Sequence, residues 1–408
     1  MISKRSTIYR IGEISVWRSG GTPSKSVKEY WGGSIPWISA KTLKDGRIYD
    51  SDIKITKKGL DRGSRIAEKD SILLLVRGSG LFNNIPIGIV DHPVAFNQDI
   101  KAIEVDSNII MPYFLFYWFQ TNKTFLSNKL EHTSIGAGKF DINTIKNLEI
   151  EVPAKRYQQE IVKILSAIDN KIELNNRINK TLEEMAQAIF KSWFVDFEPF
   201  QDGEFEDSEL GMIPKGWKVD SLDSVADYLN GLAMQKYRPE TEEFLPVVKI
   251  KELNQGFTDG NSDKASINIP EQYIVQDGDV IFSWSGTLMV KIWTGGHGGL
   301  NQHLFKVTSE KYEKWYFYLW TLKHLDNFKA IAKDKATTMG HIKRSHLTES
   351  KVLIPKDADM KILSNIMNPL FKQMIEISVQ NKTLKEIRNS LLPKLMSGEI
   401  RVPIEEVQ

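Results

Sequence analysis

The chain has 408 residues, more than one hydrophobic core ordinarily serves, so two or three domains are expected. Its 41% hydrophobic and 26% charged residues exclude a disordered polymer, and the absence of cysteine excludes a disulfide scaffold and any Cys-ligated zinc or iron–sulfur site. The net charge of +2 is unevenly spread: seven acids and no lysine or arginine lie between Ser192 and Pro214, which leaves the remainder basic, either as faces that track a phosphate backbone or as an ordinary mixed-charge surface.

Residues 1–153 read as a mixed α/β domain. Short β-rich runs such as SILLLV (71–76) and IPIGIV (85–90) are separated by Gly, Asn, Asp and Pro, and an aromatic helix is predicted over Pro112–Phe125. NLEIEVP closes the segment as a strand ended by Pro153. No run reaches the ~18 apolar residues of a membrane span, and MISKRSTIYR lacks the pattern of a signal peptide. A cytoplasmic protein with no membrane partner is expected.

A long helix follows, read as a spacer over 154–200. A 3.5-residue template picks out Ile161, Ile164, Ile168, Ile172, Ile178, Leu182, Met185 and Ile189 as its seam. The same template picks out Ile366, Leu370, Met374, Ile377, Leu384, Ile387 and Leu391 in a second spacer helix within 356–408, and the literal NKTL recurs at 179–182 and 381–384, a shift of 202. Asn175 stands where the second copy has Ile377, so the two helices are expected to meet as unlike partners. Between them, 201–214 reads as an acidic, Gly/Pro-containing linker or wrapped loop, and 215–355 as a second domain.

That second domain restarts the first. IPWISAKTLKDG (35–46) aligns with LPVVKIKELNQG (245–256), EKDSILLLVRG (68–78) with QDGDVIFSWSG (276–286), and FNQD (96–99) with LNQH (300–303). YFLFYW (113–118) aligns with WYFYLW (315–320), and IEVP (150–153) with VLIP (352–355). The shift falls from 210 to 202 and then holds through the helices, as a tandem duplication with divergent loops requires. The fold class expected is α+β: two similar mixed α/β domains, each followed by a long helix, the helices packed as a coiled-coil spacer. At 1.5 Å per residue, the 34 residues from Ile161 to Phe194 run ~51 Å, longer than the ~34 Å of one duplex turn.

Candidate DNA-binding residues lie in polar loops between strands. In the first copy RSGGTPSK offers Ser19, Thr22, Ser24 and Lys25 with flexible backbone N–H groups, a composition suited to phosphates. Lys41 follows, then Arg77 at a strand end, where a guanidinium fits guanine O6 and N7, with Ser79 beside it. Asn83, Asn84, Asn97 and Gln98 carry amides of the type that pair with adenine, and EHTSIGAGKF adds His132, Ser134 and Lys139. The second-copy candidates are Gln235, Lys236, Tyr237, Arg238, Lys251, Ser283, Ser285, Thr287, Asn301, Gln302, His303, Thr337, Thr338, His341, Lys343 and Arg344, with Trp284 among them.

Catalytic readings fail on the residues. GAGKF has Thr133 where a phosphate loop needs its first Gly and Phe140 where it needs Ser or Thr. Neither an Asp/Asn-Pro-Pro-aromatic methyltransferase motif nor GxGxxG occurs, and HGGLNQH has no nearby carboxylate cluster to complete a metal site. No catalytic or metal residue is assigned.

With the repeat and paired helices in view, the chain resembles the DNA specificity subunit of type I restriction–modification systems. RSGGTPSK followed by YWGGSIPWIS, VP before QQEIVKIL, AIFKSWFVDFEPF, GMIPKGW and the final LLPKLMSGEIRV carry the resemblance, which covers essentially the full length. It implies two target recognition domains reading a bipartite site in double-stranded DNA, spaced by the helices Ile161–Phe194 and Ile366–Met396. It implies no catalytic activity or cofactor on this chain. Two modification subunits with S-adenosylmethionine and two motor-nuclease subunits with ATP and magnesium are the implied partners. The first copy has no upstream counterpart of GMIPKGW. A self-contained DNA methyltransferase and a structural dimerisation protein are the alternatives, separated by S-adenosylmethionine binding to the single chain and by footprinting. As a ruler, the helix predicts that four residues inserted near Asn175 lengthen the unread gap by one or two base pairs (~6 Å).

Overall fold

The computed structural model describes residues 6–133, 136–334 and 340–403. The chain divides into two compact units, Met1–Asn170 with Glu386–Gln408, and Lys171–Lys385. Both long helices are therefore shared between the units, and neither stands as a domain of its own.

In the N-terminal unit a five-stranded sheet runs in the order Ser15–Ser19, Ile100–Val105, Ile72–Leu75, Ile87–Val90, Gly46–Ile48. Ile72–Leu75 is buried along its whole length, which is why that run is continuously apolar instead of alternating. A second sheet orders Lys54–Ile55, Trp31–Ile38, Val94–Phe96 and Arg65–Ala67, and a small third one orders Leu130–His132, Gly138–Phe140 and Arg77–Gly78. The aromatic helix forms over Pro112–Thr121, with Pro at its first turn and Phe114, Leu115, Phe116, Tyr117 and Phe119 buried.

The second unit repeats the scheme. One sheet orders Asp227–Asn230, Leu304–Thr308, Val280–Ser283 and Met289–Ile292; another orders Lys264–Ala265, Leu245–Val248, Gly298–Leu300 and Ile274–Val275. Ser6–Arg10 pairs antiparallel with Glu149–Pro153, and Lys218–Ser221 pairs the same way with Lys351–Ile354, so both copies contain the same strand pair.

The acidic stretch is more ordered than a linker. After the helix Lys155–Phe194 comes a 3-10 turn, Glu198–Phe200, and then an antiparallel hairpin of Phe205–Ser208 with Gly211–Pro214. Its acids are partly matched by basic neighbours from outside the stretch: Lys191 binds Asp196, Lys215 binds Glu204 and Lys351 binds Glu209. Aromatic packing fixes it, since Phe194, Phe197 and Phe200 all lie against Trp217.

The long helices have 40 residues each, Lys155–Phe194 and Asp357–Met396. Their buried stripes depart from the 3.5-residue template. Ala186 and Phe190 are buried, whereas Met185 is 46% exposed and Ile189 lies at the margin; Met367 and Phe371 are buried, whereas Ile366 is 43% exposed. An α-helix turns every 3.6 residues, so a strict 3.5 template slips off the buried face within a few heptads. Ile161, Val162 and Leu165 of the central helix enter the N-terminal core, and so do Leu392, Leu395 and Met396 from the end of the C-terminal helix. In the second unit the roles reverse: Leu363, Met367 and Phe371 join the core with Ala186, Phe190 and Phe194.

Where the helices meet inside the second unit they run antiparallel and join through asparagines. Asn179 donates to Ser378 Oγ (2.8 Å) and the Met374 carbonyl (3.2 Å); Asn381 donates to Asn176 Oδ1 (2.8 Å) and the Ile172 carbonyl (3.4 Å). These bonds map onto one another under the 202-residue shift, so the two NKTL asparagines are symmetry mates. Asn175 donates to Gln380 and Asn381 rather than meeting Ile377, because antiparallel packing sets equivalent positions on opposite sides of the symmetry axis.

Candidate nucleic-acid interface

In both copies a glycine is pressed against an Asn-Gln turn. A Cβ on Gly20 would lie 2.1 Å from the Phe96 carbonyl, and one on Gly231 would lie 2.2 Å from the Asn301 carbonyl. Gly21 donates to the Phe96 carbonyl and Leu232 to the Leu300 carbonyl, each at 2.9 Å. Asn97 donates from its backbone to Ile38, and Asn301 to Val248. The parallel strand pairs behind the turns also correspond: Phe96 sits opposite Ile38, and Leu300 opposite Val248. The RSGG backbone is thus clamped instead of flexible, and the Gly21 N–H is already used.

The turn asparagines are structural. Asn97 and Asn301 are both 6% exposed; Asn97 donates to Asp99 Oδ2 (3.1 Å), and Asn301 Oδ1 accepts from the His303 N–H (3.2 Å). Gln98 is exposed, with Thr22 donating to its side-chain oxygen at 2.6 Å. Around it, Ser24 shares a hydroxyl contact with Ser26, Lys101 donates to Ser19, and Lys25 and Lys41 are exposed. Arg77, Ser79, Asn83, Asn84 and Lys139 are exposed too, Asn84 donating to Asp45 Oδ2 (3.2 Å). His132 stacks on Phe82 with ring centres 4.4 Å apart. Ser134 lies outside the described residues.

The second copy gathers Gln235, Lys251, Asn301, Gln302 and His303 around a cleft of about 420 Å³. Lys249, Asp263 and Lys264 complete its rim; composition gave no sign of them, although Lys249 aligns with Ser39 beside Lys41. Lys251 stands 3.8 Å from Glu252 and 3.9 Å from Asp259, so its charge is shared with acids. Lys236, Arg238, Thr287 and Lys343 are exposed and Tyr237 half-buried. Ser283 is fully buried with its hydroxyl donated to the Ser285 carbonyl, so it holds a strand end and cannot reach a ligand. Ser285 lies 3.1 Å from His303 Nδ1, and Trp284 lies between His303 and His341, ring centres 6.0 and 6.3 Å away. Arg344 is turned back: it donates to the Tyr228 carbonyl (2.9 Å) and covers Phe305. Thr337 and Thr338 lie outside the described residues.

Among the described residues, no three His, Asp or Glu side chains cluster to hold a metal, and no helix is long and apolar enough to cross a membrane. The family model described as the type I restriction modification DNA specificity domain matches twice, at residues 4–184 and 214–388. The chain belongs to this family. It is a specificity subunit with two copies of the DNA specificity domain, the recognition component of such a system and not its catalyst. The type I restriction enzyme MjaIX specificity subunit of Methanocaldococcus jannaschii is 32% identical, over 98% of this chain and 95% of that protein. The HindI specificity subunit of Haemophilus influenzae is 26% identical over 90% and 94%. Among solved structures, the type I S subunit from M. genitalium matches with a TM-score of 0.58 over 96% of both chains at 15% identity, a likeness of fold.

Proposed function

We propose that each copy of this specificity subunit reads one half of a bipartite, asymmetric site in double-stranded DNA, and that the long helices hold the two readings at a fixed spacing. The supporting observation is the repeated frame: the same glycine, Asn-Gln turn and strand pairs recur in both copies, while the exposed side chains around them differ. A constant backbone with variable outward chemistry is what two readers of different sequences require. The contacts proposed for the first copy are Gln98, Arg77, Ser79, Asn83 and Lys139 with Thr22, Ser24 and Lys25 on phosphates. Those for the second are Gln302, His303, His341, Gln235, Lys236 and Lys343.

The exposed apolar residues Leu174, Met185, Ile362, Ile366 and Ile387 on the long helices suit the docking of two modification subunits. Those subunits would carry S-adenosylmethionine, and two motor-nuclease subunits would carry ATP and magnesium, all in the cytoplasm. The test is an exchange of residues 215–355 for the corresponding domain of another specificity subunit, followed by mapping of methylated bases. One half-site should change while the other and the gap stay; change in both halves rules out independent readers. Spacing is tested separately. An insertion near Asn175 alone would break its bonds to Gln380 and Asn381, so seven residues are added to both helices. The gap should grow by about three base pairs (~10.5 Å).

A further inference from the structure

At one place the two copies have the same backbone and opposite side-chain chemistry. In the first copy Lys139 stands across from Arg77 and Gly138 across from Gly78 in an antiparallel ladder. In the second an antiparallel bridge sets His341 across from Ser285, and Gly286 donates to the Gly340 carbonyl at 2.9 Å. The next hydrogen bond repeats as well, Phe140 to the Val76 carbonyl at 2.9 Å and Ile342 to the Trp284 carbonyl at 3.1 Å. Arg77 is therefore equivalent to Ser285, and Lys139 to His341, which the sequence shifts of 208 and 202 give independently.

Arg77 and Lys139 are both exposed, and neither forms an ion pair among the described residues. Glu131 stands across from Lys139 on the third strand, yet the two are not ion-paired either. Like charges directly opposite one another weaken a ladder, so the pairing of Arg77 with Lys139 is not what the sheet asks for, although Glu131 across from Lys139 and the nearby Asp141 carboxylate offset the ammonium. In the second copy Ser285 is 4% exposed with its hydroxyl against His303, and Trp284 fills the surface between two imidazoles. One copy presents a guanidinium and an ammonium where the other presents an indole and imidazoles.

We infer that this bridge pair sets the base preference of its copy, with Arg77 and Lys139 taking the acceptor-rich major-groove edge of a guanine in the half-site of the first copy. Arginine reaches guanine O6 and N7 with two parallel N–H groups, and a neighbouring ammonium adds a third donor. The equivalent place in the second copy carries Ser285 and His341 instead, and it selects a different base pair. This inference rests on the reading that each copy contacts one half-site.

The test uses the full chain with the modification subunit of its own system, and methylated positions are mapped by sequencing. Arg77→Ser with Lys139→His gives the first copy the bridge pair of the second. One base pair of one half-site should lose its guanine requirement, while the other half-site and the gap stay unchanged, and binding to the original site should fall about ten- to hundred-fold. Arg77→Lys keeps the charge without the fork and should relax the same base pair more weakly; it also serves if the double variant fails to fold. An unchanged motif with affinity lowered equally on every sequence would assign the pair to phosphates and overturn the inference. If the unmodified chain itself gives no two-part motif, the half-site reading falls first and takes this one with it.

Discussion

In the N-terminal unit the aromatic helix meets the long helices through charge. Tyr117 donates to Asp169 Oδ2 at 2.8 Å, and Arg388 donates to Asp169 Oδ1 at 3.1 Å. Burial, then the nearby Asp169 carboxylate, raises the Tyr117 pKa, so the phenol stays a donor. In the second unit the equivalent places hold Leu319, Phe371 and Ala186, all buried in its core. At these equivalent positions one end is polar and the other apolar. A helix end that entered the wrong core would strand Asp169 without its cation or place Arg388 against Phe371, so the difference makes the two ends non-interchangeable.

The largest expected effect comes from removing the apolar end. Phe190→Ala takes away a ring packed against Trp320 and Phe194, and should cost about 4 kcal/mol in urea unfolding; Leu392→Ala at the equivalent place should cost about 3 kcal/mol. Equal, small losses would mean that the helix ends are not docked as described. Gly231→Ala should follow at about 3 kcal/mol, since the Asn301 carbonyl is backbone and cannot yield, whereas Gly260→Ala, with nothing within 4 Å, should cost little. At the polar end, Arg388→Ala should cost about 1–2 kcal/mol, discounted because the side chain is 34% exposed. Adding Asp169→Phe and Tyr117→Leu, which copies the second unit, should recover most of that loss; no recovery would show that the two ends are not equivalent.

Two smaller effects sharpen the comparison. Asn175→Ile, which gives the central helix the residue of its counterpart Ile377, should cost about 1 kcal/mol, since it takes the donor from the buried Asn381 Oδ1 while removing the unpartnered Asn175 Oδ1. His324 is half-buried and donates from Nε2 to the Lys351 carbonyl, and its desolvation lowers its pKa. The folded value lies below the unfolded one of about 6.5, so its contribution is complete above that pH and is lost as pH falls through the folded value. Asn122, its counterpart in the first unit, does not titrate. His324→Asn should therefore flatten the stability profile below pH ~6.5, and an unchanged slope would remove His324 as its source.

Much of the site was legible because it was written twice. FNQD and LNQH align, and the structure brings both to the same glycine-clamped turn. The clamp itself was hidden: Gly20 and Gly231 read as loop residues until the approach of a backbone carbonyl from residue 96 or 301 showed why no side chain fits. Ser283 and the turn asparagines looked like free polar groups, yet their burial depends on neighbours distant in sequence.

The sequence by itself determined the duplication, the order of strands and helices in each copy, and the two long amphipathic helices, because apolar periodicity and repeat shifts are local and countable. Only the tertiary structure decided which stripe of each helix is buried, that the NKTL asparagines cross to partners about 200 residues away, and that Arg388 rather than Ala186 faces Asp169. Those choices follow from antiparallel packing and from a 3.6-residue turn, and each pairs groups whose separation along the chain leaves no local pattern to count.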